Sequence, residues 1–481
     1  DLDRGASMVP HRVRLCALVV ACCLAGSCAE QLGAPSPVPK VRRPALHSVL
    51  QSPTTHSKLS KPSALLASAN AARAPRPPAF QWAVLHNWLY FLSLGLSVPN
   101  LPRVISSIVN PDGSSGVTPA SVLLSGNVEA VDKLLTFLGV GFLSALSDVK
   151  GRKALMAWSA LGFGCTCLIQ GTTRSVAMLY LADLIDGVSS CMYPVCMAFV
   201  TDASPAHRCV VNLGVFQGLS IGGAFILAFP IGGILGKQLG PRVPVLLGAA
   251  VQLLNLLLIL LVTPESNTRA MRAGRTLDLR EANPLGALRK LFGAEAGPLL
   301  RAASRTFFLV TLARGVLDAQ FSNYALYRFG WGPQESGPLL VLVGLMLAVA
   351  PRLVVPRLGI GRSILYGTML FAAGQLATAF APTPATFVLA IFASAVGCAC
   401  IPALVATIAE QGGSAERGAL LGGVGSLTEL CGALGNPLYS QLFAYFISDA
   451  APLKLPGAHF IAAALFLLMA CVSSLSFSRT I

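Results

Sequence analysis

The chain has 481 residues, of which 54% are hydrophobic and 11% charged, with a mean hydropathy of +0.68. A soluble globule carries about 25% charged residues, so this composition excludes a water-soluble protein and indicates a polytopic membrane protein. The net charge of +15 does not point to nucleic acid, because the cations lie in an N-terminal tail and in short loops rather than on one basic face.

From Met8 the chain reads "MVPHRVRLCALVVACCLAGSCAE". Arg12 and Arg14 precede an apolar core from Leu15 to Leu24 and a small-residue "SCA", so residues 8–29 are expected to be a signal-peptide-like leader. The segment 30–79 has no acid after Glu30 and many Pro, Ser, Arg and Lys residues. It cannot bury enough apolar area to fold, and disorder is expected. A leader followed by such a tail resembles the two-part targeting segment of algae with complex plastids, so a plastid envelope stands beside the plasma membrane or an endomembrane as a destination.

A membrane span needs roughly 20 apolar residues. Charges, Pro and Gly bound candidates near 81–101, 122–147, 153–171, 176–201, 210–236 and 243–263, and again near 304–327, 335–356, 362–381, 384–409, 417–447 and 457–477. The expected fold is an all-α polytopic membrane protein with twelve transmembrane helices. A bundle of six occupies 80–263, an arginine-rich central loop 264–303, and a second bundle of six 304–481. Alternate loops carry sixteen basic residues against six on the opposite set, which places the mature termini and the central loop on the cytosolic or equivalent side. "GRKALMAWSALGFG" from Gly151 matches "GRSILYGTMLFAAG" from Gly361, and "YPVCMAFVTDASPAHRCVVNLG" from Tyr193 matches "IPALVATIAEQGGSAERGALLG" from Ile401. These pairs, 210 and 208 residues apart, indicate a parallel repeat about an axis along the membrane normal, a transporter architecture.

"FLGVGFLSALSDVKGRK", with "AFVTDASPAHR", "NPLGALRKL" and "ELCGALGNPLYSQLF", resembles the major facilitator superfamily. The similarity is greatest to its tetracycline-efflux and hippocampus-abundant-transcript-like branch, and it extends over residues 81 to 477. The resemblance implies a conformational latch at the cytosolic end of the second span. Asp148 lies at the negative end of its helix, which is unfavourable alone. It would be stabilised by Arg152 folding back across the Gly151 turn, beside Lys153, and by the N-terminus of the eleventh span near Arg417; Arg152 would also reach Asp202. The latch would hold the cytosolic ends of the two halves together while the outside is open. The alternative is that these charges only mark a cytosolic loop. The second half lacks the acid in "VPRLGIGRS", so the latch would be one-sided.

Ionisable residues inside spans are functional hypotheses by default. Arg314 and Asp318 stand at i,i+4 and can pair, either as a structural lock or in a substrate and proton pathway. Asp183 and Asp186 share one face of the fourth span, where many members of the resembling superfamily carry an arginine. Glu429 is a lone acid in the eleventh. Glu129, Asp132 and Lys133 read as a solvated vestibule, and His86 as hydrogen-bonded. Gly222, Gly223, Pro230 and Gly233 in the fifth span, with Gly435 and Pro437 in the eleventh, read as helix-bend positions or as small-residue packing.

Thirteen cysteines form no CxxC pair or Cys/His cluster, and the chain lacks GxxxxGK[ST] and HExxH motifs. No metal, cofactor or enzymatic activity is expected. The reading is a monomeric secondary transporter in the lipid bilayer. It moves a small-molecule substrate by rocker-switch alternating access, with protons as the coupling ion, by antiport. An uncoupled facilitator of a sugar-like solute and a non-transporting receptor on the same fold are the alternatives.

Overall fold

The computed structural model describes residues 78–477, apart from 111, 206–207, 274–276, 278–282 and 413–415. The leader at 8–29 and nearly all of the tail at 30–79 lie outside these residues. Every regular element among the described residues is helical. In the first half these are α1 (Gln81–Ser97), α2 (Leu101–Val109), α3 (Pro119–Lys150), α4 (Arg152–Thr172), α5 (Val176–Ser189), α6 (Met192–Ala203), α7 (Cys209–Gln217), α8 (Gly223–Gln238) and α9 (Arg242–Leu261). The central loop holds α10 (Arg269–Arg272) and α11 (Pro284–Phe292). The second half consists of α12 (Pro298–Phe329), α13 (Pro333–Leu358), α14 (Ile360–Ala379), α15 (Pro384–Gly397), α16 (Cys400–Glu410), α17 (Arg417–Ile447) and α18 (Ala458–Leu475).

Nine helices among the described residues are long and apolar enough to cross a membrane, and α1 with α2 forms a tenth, bent by 43°. The less apolar α12 and α14 occupy the windows expected for the seventh and ninth spans. Each half has its own apolar core, and the halves meet chiefly through α3 on α17 and α8 on α13. The described spans agree with the expected windows, but several are broken. Prolines explain where. Pro194 and Pro402 stand third in α6 and α16, so each lacks an N–H and its ring crowds the carbonyl four residues back, at Ser190 and Cys398. Those are the breaks between α5 and α6 and between α15 and α16, 208 residues apart. In the first span Pro99 falls at the bend, and the Asn100 side chain donates to the Leu96 and Gly232 carbonyls at 2.9 and 3.2 Å.

The repeat has one register, and it corrects the pairing of Gly151 with Gly361. The positive-φ turn glycines are Gly151 (φ 111°) and Gly359 (φ 79°), again 208 residues apart. Each starts the next helix, α4 or α14, at the following residue. A second glycine in "LGIGRS" made the neighbouring GR dipeptide the better match by letter.

No break in helical structure accompanies the expected bend positions Pro230 and Pro437. Pro230 lies inside the continuous α8 and Pro437 inside the continuous α17. The fifth span is irregular more than two turns earlier, where Gly218–Gly222 forms a π-helical turn that ends at Gly223. Such turns recur at functional sites.

Candidate functional site

Charged residues gather at three depths. On the central-loop side, α3 ends at Lys150 and the chain turns through Gly151, whose φ of 111° suits only glycine. A Cβ there would lie 2.5 Å from Glu265 Oε2 and 3.1 Å from Arg272 Nη1. The first backbone N–H groups of α4 are orphan donors at the positive end of the helix. Glu265 takes two of them, from Arg152 and Lys153, at 2.9 and 3.2 Å. The Arg152 side chain, 7% exposed, pairs with Asp148, with Asp202 at 3.0 Å and with the Ser147 hydroxyl. Ser266 donates to Asp202, Asn267 donates to the Asp148 carbonyl and Arg272 to the Lys150 carbonyl. Lys153 donates to the Leu260 carbonyl.

The structure therefore brings Asp148, Gly151, Arg152, Lys153 and Asp202 together but leaves Arg417 elsewhere, its Nε donating to the Ala409 carbonyl at 3.3 Å. The contacts described for Arg152 stay within the first half and the start of the central loop. Sequence reading missed Glu265 and Asn267. The signal was "PESN" directly after the sixth span, an acid in chain reach of a bare helix N-terminus.

Midway along α3, Lys133 reaches across to the second half. Its Nζ lies 3.1 Å from Asp132 and 4.0 Å from Glu429 of α17. Its stem runs over Gly432, where a Cβ would meet Lys133 Cγ at 3.1 Å. Asp132 is buried and accepts from Thr136 at 3.4 Å. A lysine beside an acid of its own half finds its second partner on a helix some 300 residues later, which no local pattern shows. On α12, Arg314 and Asp318 pair at 3.4 Å and remain 39% and 58% exposed. Asp318 lies within electrostatic reach of Glu129 and Glu429, so α12 faces the same space.

Asp183 and Asp186 form a second group. Gly187 lets α5 approach α3 so closely that a Cβ would lie 2.8 Å from the Asp132 carbonyl. Asp183 is buried and accepts from Gln170 at 2.7 Å. Asp186 Oδ1 is buried without a hydrogen-bond partner among the described residues. His86 is buried between Asn255 and Thr263, both at 2.7 Å, a hydrogen-bonded histidine as the sequence suggested.

On the far side the halves close on each other. Gly233 of α8 packs against the backbone of Pro333 and Gln334, with a Cβ there only 2.8 Å from Gln334 Cα. Lys237 pairs with Glu335 at 3.5 Å, and Glu335 also accepts from the Gly332 N–H. The Arg103 guanidinium lies against Gly332, and Gly126 against Ser440. Of the other glycines expected at bends, Gly222 faces open space, Gly223 lies near Trp88, and Gly435 near Tyr439 and Leu312.

Residues 84–367 match the sequence model of the Major Facilitator Superfamily. The chain is 28% identical over 358 residues to the class C tetracycline resistance protein of Escherichia coli, covering 73% of this chain and 86% of the relative. It is 26% identical over 347 residues to the hippocampus abundant transcript 1 protein of Mus musculus, covering 70% and 69%. Among solved structures, the human organic anion transporter MFSD10 (TETRAN) superposes with a TM-score of 0.60 at 22% identity, over 83% of this chain and all of that one. At that identity the likeness speaks for the fold.

Proposed function

The chain belongs to the Major Facilitator Superfamily, an integral multi-pass membrane transporter, and from that premise we propose that it is a secondary active transporter of a small organic solute. It works by rocker-switch alternating access with proton coupling. The observation that carries the reading is Lys133, midway along a membrane-spanning helix and shared between Asp132 of its own half and Glu429 of the other. Charges in a bilayer interior are costly, and these stand where two halves that rock would separate. The far-side contacts through Gly233, Lys237 and Arg103 correspond to a conformation open toward the central loop. The Arg152 cluster, held within one half here, is then free to engage the second half only when the central-loop side closes.

The names of the relatives, tetracycline resistance and organic anion transport, support an organic solute as cargo. A ligand-induced thermal-shift screen on purified protein, followed by proteoliposome uptake with and without a pH gradient, tests the reading. Asp318→Asn is expected to abolish uphill transport while counterflow of the same solute persists; full retention of pH-driven transport refutes the coupling role. The Arg314–Asp318 pair favours a second reading, an uncoupled facilitator whose buried acids are structural. That reading requires wild-type flux to be indifferent to the pH gradient.

A further inference from the structure

The central-loop helix α11 is not part of the charge network. It is well made for its nine residues: Asn283 caps it by accepting from the Leu285 N–H at 3.0 Å, Pro284 occupies its first turn, and Arg289 and Lys290 lie in its last. One side docks on α17, with Leu291 fully buried and a Cβ at Gly423 only 3.0 Å from the Ala287 carbonyl. The helix also touches α3 and α12, so it lies at the seam where the two halves meet.

The other side is unpartnered and amphipathic. Leu285 is 64% and Phe292 36% exposed. They stand seven residues apart, two turns along one stripe. Arg289 is exposed beside that stripe, Lys290 is exposed about 100° further round the helix, and Arg301 and Arg305 are exposed on the first turns of α12. Among the described residues none of these four cations is in an ion pair. The pairing of apolar stripe and basic side chains identifies the occupant. Gly423 is six residues into α17, about 9 Å along its axis, and interfacial helices sit about 5–10 Å into the headgroup and acyl boundary. An exposed apolar stripe at that depth, edged by unpaired cations, fits a lipid surface.

We propose that α11 binds anionic phospholipid headgroups of the leaflet on the central-loop side, inserting Leu285 and Phe292 while Arg289 and Lys290 take the headgroup charge. The inference is independent of what the protein transports. It predicts that anionic lipid braces the α3–α17 seam from outside.

The test is hydrogen–deuterium exchange of the 284–292 backbone in the full chain reconstituted into nanodiscs. The discs contain phosphatidylcholine alone, or phosphatidylcholine with phosphatidylglycerol as the minor component. A basic side chain near an anionic surface is worth roughly fivefold in binding, so the pair predicts exchange slowed by up to roughly thirty-fold in the anionic discs. R289Q combined with K290Q should remove that difference. Phe292→Ser should speed exchange in both lipids. Inorganic phosphate added to phosphatidylcholine discs should not reproduce the protection. Equal exchange of the wild type in the two lipids overturns the proposal, as does protection that survives loss of both cations, or protection by free phosphate.

Discussion

Replacing Gly233 by alanine should shift the protein toward a far-side-open conformation. Gly233 lies where α8 meets the start of α13, and a Cβ built there falls 2.8 Å from Gln334 Cα and from the Pro333 carbonyl oxygen. Both obstacles are backbone, so no side chain can swing aside. The two halves must separate locally by about 0.6 Å to reach the 3.4 Å at which ordinary contact begins. Overpacking of this kind costs about 1–3 kcal/mol. The cost falls only on the state in which these surfaces touch, so the equilibrium between closed and open far sides should move by roughly five- to 150-fold. Gly222, on the same span, faces open space within 4 Å, and Gly222→Ala supplies the control for the helix-propensity gain of alanine, about 1 kcal/mol in either state. Spin labels at Ser115 and Lys454, both exposed on the far side, report the separation by dipolar spectroscopy. A longer-distance population that grows in Gly233→Ala and not in Gly222→Ala is the expected result. Identical distance distributions in the two variants would refute the reasoning.

Arg152→Ala removes the cation shared by Asp148 and Asp202. Leaving a partly buried carboxylate unpaired should lower stability by about 3 kcal/mol, read as a fall in thermal midpoint in detergent. Gly151→Ala forces a side chain into a backbone region costing about 1–3 kcal/mol and against Glu265; a wild-type melting curve would contradict it. Lys133→Met and Glu429→Gln, measured singly and together, should be non-additive by about 0.5–3 kcal/mol if the tie between the halves is formed. Strict additivity in the thermal stability would remove it.

Much of the fold was legible because lipid enforces a simple rule: backbone polar groups in hydrocarbon must be satisfied within a helix. Charges and glycines therefore bounded the spans well. The breaks were written in Pro194 and Pro402, whose effect on the preceding carbonyl follows from covalent structure. The charge cluster at Asp148 and Arg152 was legible because its members are close in the chain or carried by a recognisable motif. Glu265 was not, because what it caps becomes a target only when the sixth span returns beside the third. Arg417 illustrates the opposite case. Its position in the sequence suited the latch, but in this conformation its guanidinium turns back to its own half at Ala409.

The sequence by itself determined a membrane protein of repeated spans, its two equivalent halves and the positions of its intramembrane charges, because hydropathy and Pro/Gly chemistry act locally. Only the tertiary structure decided the partners of those charges: Lys133 with Glu429, and Asp183 with Gln170. It also decided that the halves touch at Gly233 on the far side. Those contacts join residues far apart in the chain, and their strength depends on distance and surrounding medium, which composition and periodicity do not encode.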